Sequence, residues 1–169
     1  GRASVTLGEG VSATNNNTIA LGHNNLASGN HAVVLGGADS VAYGAYSTIA
    51  GGLSNCAGDN VFIGGGYQNT GTGCATIGGG FLNCATSKST IVGGYGNNSI
   101  CCSTIGGGYL NYSFRCASVA GGFCNSAYTN SGIVGGSENC ASDYSSIIGG
   151  YLNLANQCST IGGGTRNTA

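Results

Sequence analysis

The sequence predicts an all-β fold, a parallel β-solenoid of about twelve turns with fourteen residues in each turn. Three observations predict it: an aliphatic residue recurs every fourteen positions, glycines follow it in most turns, and an asparagine follows the glycines. We predict that the aliphatic residues form one inward-facing core column. Its members are Leu7, Leu21, Leu35, Ile49, Ile63, Ile77, Ile91, Ile105, Val119, Ile133, Ile147 and Ile161.

The local pattern favours two short strands and two tight corners in each turn. A helical repeat is excluded because two or three glycines would interrupt every turn, and no second apolar seam accompanies the aliphatic residues. The segment Ser103-Thr104-Ile105 alternates small, polar and aliphatic side chains, which is typical of a strand with one buried face. Glycines such as Gly107 then permit a sharp corner.

The composition favours a folded array and limits its partners. Gly accounts for 35 of 169 residues, 41% of residues are apolar, 5% are charged, and the net charge is −1. Disordered chains usually combine low hydrophobicity with high net charge. Four scattered bases, Arg2, Lys88, Arg115 and Arg166, argue against nucleic acid and anionic membranes as partners, and no apolar run is long enough for membrane insertion. Both ends fall within a turn, which suggests a segment of a longer chain.

A column of asparagines is expected six residues after the aliphatic column. Stacked at about 4.8 Å, their side-chain amides can hydrogen-bond along the column, and asparagine also tolerates left-handed turn geometry. The predicted ladder contains Asn55, Asn69, Asn83, Asn97, Asn111, Asn125, Asn139, Asn153 and Asn167.

An aromatic column follows the glycines in six turns. Rings repeated at about 4.8 Å can stack with an offset, which stabilises the solenoid or a seam between chains. An exposed stripe of rings is also suited to stacking on the sugar rings of a glycan. Both interpretations apply to Tyr67, Phe81, Tyr95, Tyr109, Phe123 and Tyr151.

The first three turns carry a recognisable motif. They read Ser4-Val5-Thr6-Leu7-Gly8, Thr18-Ile19-Ala20-Leu21-Gly22 and Ala32-Val33-Val34-Leu35-Gly36. This motif resembles the head repeats of trimeric autotransporter adhesins of the YadA type. The resemblance implies a left-handed parallel β-roll that assembles as a homotrimer.

From residue 47 onward the repeat changes to a Gly-Gly-Gly and Asn variant, which is similar to repeats in phage and large-virus fibre proteins. We therefore divide the chain into adhesin-head-like turns over 1–46 and variant turns over 47–169, in one continuous solenoid.

Nine cysteines raise the question of cross-linking. Cys102 and Cys116 occupy one column in adjacent turns, where the distance between Cα atoms suits a disulfide, and they are our candidate pair. The others are interpreted as small apolar side chains or as links between chains in an oxidising medium.

We predict neither a metal site nor a cofactor. The cysteines form no C-x-x-C motif, and His23 and His31 have no acidic or thiolate partner in their turn. No two acidic residues share a column in adjacent turns, so paired-carboxylate catalysis is not expected. The chain is predicted not to be an enzyme.

The sequence therefore predicts a structural rod, a fibre or adhesin segment on an extracellular, cell or virion surface. Its partners would be copies of itself, with a host glycan or protein at the surface. The first alternative is a filament subunit that stacks end to end. A lesser alternative is ice binding by an outward hydroxyl column. That column comprises Thr48, Thr76, Thr90, Thr104, Ser118, Ser146 and Thr160.

Overall fold

The computed structural model describes residues 3–169 and confirms a parallel β-solenoid. Two sheets of short strands face each other, and each turn contributes one strand to each sheet. Sheet A has twelve strands and sheet B has eleven, which makes about eleven complete turns rather than twelve. The described residues contain no helix, and so none long enough to cross a membrane.

The strands of sheet A are the odd-numbered strands β1 to β23, and neighbours pair in parallel. Their bounds are Val5–Glu9, Ile19–His23, Val33–Val34, Thr48–Ile49, Phe62–Ile63, Thr76–Ile77, Thr90–Ile91, Thr104–Ile105, Ser118–Val119, Gly132–Ile133, Ser146–Ile147 and Thr160–Ile161.

The strands of sheet B are the even-numbered strands β2 to β22, also in parallel. Their bounds are Ser12–Ala13, Leu26–Ala27, Val41–Ala42, Cys56–Ala57, Thr70–Thr72, Cys84–Thr86, Asn98–Ile100, Tyr112–Phe114, Ser126–Ala127, Cys140–Ala141 and Leu154–Ala155.

Each turn between the first and the last buries four residues between the sheets. In the turn that begins at Ser47, these are Ser47 and Ile49 from the sheet A side and Asn55 and Ala57 from the sheet B side, all with 1% or less exposed. Intervening side chains point outward, as the period of two requires. Because a turn has no core without its neighbours, stability comes from the interfaces between turns.

The core column differs from the prediction in the first three turns. Leu7, Leu21 and Leu35 do not belong to it: Leu7 is 72% exposed, Leu35 is 50% exposed, and Leu21 is half-buried. The inward residues are instead Ala20 and Val34, each directly before a leucine. The later members, from Ile49 to Ile161, are buried as predicted.

A register shift explains this correction. Ala20 pairs with Val34 fourteen residues later, but Val34 pairs with Ile49 fifteen residues later. The glycine corner gains one residue there, since Val34 precedes the bridge residue Ala38 by four positions, whereas Ala20 precedes His23 by three. A one-residue shift moves every side chain of a strand to the opposite face.

The sequence period stays at fourteen because the opposite corner becomes shorter afterwards. Thr48 of sheet A lies seven positions after Val41 of sheet B, whereas Phe62 lies only six positions after Cys56. The longer corner, after Val34, precedes the sequence boundary at residues 46 and 47, and the shorter corner, after Cys56, follows it. Both sheets continue across that boundary.

Both corners use left-handed backbone at residues other than glycine. Leu82, at φ +56°, lies in the corner after sheet A, and Cys102, at φ +61°, lies in the corner after sheet B. Such conformations are uncommon. Each is held by its own N–H, which donates to the preceding turn at Tyr67 O (2.9 Å) and Ser87 O (2.9 Å) respectively.

Charge is confined to the corners. Within the described chain, Glu9 ends the first strand and all other charged residues lie outside the strands, so the outer faces of both sheets are uncharged beyond that strand. The corner residues are Asp39, Asp59, Lys88, Arg115, Glu138, Asp143 and Arg166.

We expect Val34→Ala to destabilise the fold and Leu35→Ala to have almost no effect. Val34 is 0% exposed, so its truncation leaves a cavity that costs about 2 kcal/mol. The half-exposed Leu35 should change the free energy of unfolding by less than about 0.5 kcal/mol. Urea unfolding followed by circular dichroism measures both, and the reverse order would contradict the assigned register.

Candidate functional site

The asparagine column forms a hydrogen-bonded ladder with the backbone. The Asn97 backbone N–H donates to Asn83 Oδ1 (3.0 Å), and Asn97 Oδ1 accepts from the Asn111 N–H (2.9 Å). Its Nδ2 donates to Gly93 O (3.0 Å) and Gly108 O (3.1 Å). One buried amide therefore bonds to three backbone groups and links one turn to the next at this corner.

The Nδ2 bond to a glycine carbonyl of the same turn recurs in all nine predicted turns, whereas the bonds between turns differ at the two ends: the Asn55 N–H donates to Ser40 Oγ, and no turn follows Asn167. The expectation of side-chain bonds along the column describes only its end: Asn153 Nδ2 donates to Asn139 Oδ1 (3.1 Å), and Asn167 Nδ2 donates to Asn153 Oδ1 (3.0 Å). Elsewhere each amide bonds to backbone. The ladder comprises Asn55, Asn69, Asn83, Asn97, Asn111, Asn125, Asn139, Asn153 and Asn167.

The sequence reasoning missed two earlier members of this column. Asn25 Nδ2 donates to Gly37 O (3.0 Å), and Asn25 Oδ1 accepts from the Ser40 N–H (2.9 Å). Ser40 Oγ then accepts from the Asn55 N–H (3.2 Å). A glycine three residues before each asparagine could have identified Asn25 in the sequence. The ladder was instead defined as the sixth residue after the aliphatic column, and Asn25 is only the fourth residue after Leu21.

That glycine is the residue on which the corner depends. Gly94 has φ +94°, and a Cβ there would lie 2.3 Å from Gly108 O and 2.6 Å from Asn97 Nδ2. The adjacent Gly93 differs, because the nearest atom to its Cβ would be Gly79 O at 4.0 Å. One glycine column is thus obligatory. It comprises Gly8, Gly22, Gly37, Gly52, Gly66, Gly80, Gly94, Gly108, Gly122, Gly136, Gly150 and Gly164.

The aromatic column stands next to this glycine column. Five rings stack continuously, with centroids 4.7 to 5.2 Å apart and interplanar angles of 6 to 20°. Ser137 separates the sixth ring, Tyr151, from them. The rings are half-buried to exposed, so one edge of the stack faces outward. The five are Tyr67, Phe81, Tyr95, Tyr109 and Phe123.

The candidate disulfide pair lies on one exposed corner. Cys102 and Cys116 occupy equivalent positions in adjacent turns, and both thiols are free in the structure. Cys74 lies in the same column, with Lys88 between it and Cys102. A small groove is lined by this corner, including Cys101.

Three other cysteines have a different environment. Cys56, Cys84 and Cys140 point outward from sheet B but are half-buried. Burial raises the pKa of each thiol above its ordinary value. These thiols therefore stay protonated at neutral pH and are weak nucleophiles.

The two histidines lie at opposite corners. His23 ends strand β3 in the position that rings occupy in later turns, whereas His31 stacks on Tyr46 with centroids 4.9 Å apart. Within residues 3–169, no three His, Cys, Asp or Glu side chains are grouped closely enough to bind a metal ion. The hydroxyl column from Thr48 to Thr160 lies on the outer face of sheet A, interrupted by Phe62 and Gly132.

A second aromatic cluster on sheet B was not predicted. Tyr112 lies 6.4 Å from Phe114 and 5.8 Å from Tyr128 between ring centroids, and the Arg115 guanidinium lies 4.8 Å from the Phe114 centroid. Phe114 and Tyr128 are fourteen residues apart, but the neighbouring turns carry Ile100 and Ser142 at that position, so no long aromatic column marks the cluster. The signal was the alternation Tyr112-Ser113-Phe114.

We expect Asn97→Ala to destabilise the fold by on the order of 3 kcal/mol, because it leaves the Asn111 N–H and Gly93 O without a partner, while Gly108 O keeps its bond from the Tyr95 N–H. The control is the neighbouring Asn98→Ala, since the Asn98 Oδ1 makes no hydrogen bond. Chemical unfolding of both variants measures the difference. Equal losses would show that the ladder does not support the corner.

We also expect Gly94→Ala to cost about 4 kcal/mol, through left-handed strain and the clash with the next turn. Gly93→Ala should stay within about 1 kcal/mol of the parent chain. Comparing their melting temperatures tests whether the obligatory glycine is the one three residues before the asparagine. A greater loss with Gly93→Ala would contradict it.

Comparison with known proteins adds no relative: no protein-family model matches the chain, and no curated protein matches its sequence.

Proposed function

We propose that this chain is a non-enzymatic structural rod, a segment of an extracellular fibre or adhesin at a cell or virion surface. The observation that carries the proposal is the unbroken stacking of the core and the asparagine ladder along the solenoid axis. Sequence resemblance to adhesin heads and viral fibres supports the same role.

In this proposal the protein acts mechanically, as a stiff column of defined length. Each turn donates backbone hydrogen bonds to the next at about 2.8 to 3.2 Å, and about eleven turns at a rise of roughly 4.8 Å give a column roughly 50 Å long. Bending it would break contacts between turns on one side. A rod of this kind holds a binding surface away from its anchor.

Lateral association with copies of this chain is the second part of the proposal. The outer face of sheet A carries exposed aliphatic side chains, among them Leu7, Leu35, Val134 and Ile148. A groove of about 430 Å³ on this face is framed by Val134 and Ile148 where Gly132 lacks a side chain. An uncharged face that combines these aliphatic side chains with short hydroxyl side chains suits burial against another rod, and the resemblance implies three chains.

We expect the native particle to be a discrete trimer that Ile148→Lys separates into monomers. Ile148 is 58% exposed, so a lysine there does not disturb the core but places a charge in the proposed interface. Ser126→Lys, on the outer face of sheet B, is the matched control. Multi-angle light scattering and electron microscopy of the three samples measure mass and shape.

A monomeric parent chain would overturn the assembly proposal. Open-ended filaments would favour the end-to-end stacking of subunits instead. A monomer with thermal hysteresis in ice-growth assays would favour ice binding by the Thr column.

A further inference from the structure

A groove of about 720 Å³ runs along the outer edge of sheet B near the carboxyl end. Two adjacent columns line it: residues at or just after the ends of the sheet B strands, including Phe114, Tyr128 and Asn156, and residues of the following corner, including Arg115, Asp143 and Gln157. The groove spans four turns. Its volume lies within the range of small-ligand sites, about 300 to 1,000 Å³.

Aromatic rings form one end of the groove. Phe114 and Tyr128 occupy equivalent outward positions in adjacent turns, and Tyr112 packs against both. The Tyr128 side chain is 37% exposed, so it presents ring surface to a ligand. Burial raises the pKa of its phenol, with smaller effects of Cys140 and Tyr112, so the hydroxyl remains a hydrogen-bond donor.

The other end and the rim are polar and planar. Arg115 keeps its guanidinium 4.8 Å from the Phe114 centroid, which fixes its orientation while its N–H groups stay available. Asp143, two turns further along the same column, supplies acceptors. Asn156 and Gln157, both exposed, each supply an acceptor oxygen and two N–H donors.

We propose that this groove binds a linear oligosaccharide of hexopyranose units along the solenoid axis. Pyranose rings present apolar C–H faces, which suit Phe114 and Tyr128, and equatorial hydroxyls, which suit paired amide, carboxylate and guanidinium groups. The site is separate from the Tyr67 to Phe123 stack and does not depend on whether the rod assembles.

The charge and the depth of the groove favour an oligosaccharide over a nucleic acid or a peptide. One guanidinium accompanied by one carboxylate offers no run of cations for phosphates. The groove has no deep apolar pocket to anchor a peptide side chain, and its strands are already paired on both sides, so no peptide strand can be added. Shallow polar grooves with rings on their floor are suited to sugars.

The test is binding of the whole chain to an array of immobilised neutral and uronic-acid oligosaccharides, followed by titration calorimetry with the sugar that binds best. We expect Tyr128→Ser to weaken binding about tenfold, since one ring contact is lost. Gln157→Ala, which changes only an exposed side chain, should also weaken it while leaving the melting temperature unchanged.

Tyr43→Ser is the matched control, because Tyr43 follows strand β6 on sheet B as Tyr128 follows strand β18, yet lies outside the groove. It should bind sugar like the parent chain. The proposal is overturned if no oligosaccharide binds, if Tyr128→Ser and Gln157→Ala bind as well as the control, or if only a peptide or single-stranded nucleic acid occupies the groove.

Light scattering of the same samples separates this result from the assembly proposal. A trimer that binds no sugar overturns the groove alone, whereas a sugar-binding monomer overturns assembly alone.

Discussion

The fold depends on one buried amide in most turns, which bonds to backbone groups of its own turn and of the next at the corner between the two sheets. Asn97 shows how: one side chain receives the N–H of the next turn and donates to carbonyls of its own turn and the next. The chain can approach this closely only because Gly94 has no Cβ. The glycine and the asparagine of each corner are therefore required together. The rest of the core in each turn is only one aliphatic residue and two small residues, and the hydrogen-bonded ladder supplies part of the stabilisation.

Because the inward core and the asparagine ladder hold the turns together, the outward positions are free to vary. Left-handed corner positions accept residues as different as Leu82 and Cys102, because the N–H of each is held by the preceding turn. Outward side chains of both sheets then form columns at the turn spacing, which turns small sequence preferences into extended stripes. The aromatic stack, the exposed thiols of one corner and the uncharged aliphatic face of sheet A all arise in this way.

The surfaces of the rod suit different partners. The uncharged outer face of sheet A carries exposed Val134 and Ile148 beside a column of hydroxyl side chains, and we propose that another copy of the rod packs there. Sheet B presents a groove in which Tyr128 lies beside planar polar groups, which is appropriate for a sugar. A rod that buries one face in assembly and keeps the opposite face accessible would repeat the same sugar site around its axis. Such repetition strengthens weak individual contacts through multivalency.

The sequence alone predicted the solenoid, its parallel sheets, the core column from Ile49 onward and the aromatic column. Each of these features follows from a fixed spacing between chemically similar residues, which is visible in the sequence itself. The sequence could not show which face the early leucines occupy, since Leu7, Leu21, Leu35 and Ile49 keep a spacing of fourteen while the register between Val34 and Ile49 shifts by one. The two compensating corner changes cancel in the sequence and become visible only when strands pair. The same pairing placed Asn25 in the ladder and brought Phe114, Tyr128 and Asp143 to one groove, because neighbours across turns are set by register and not by residue type.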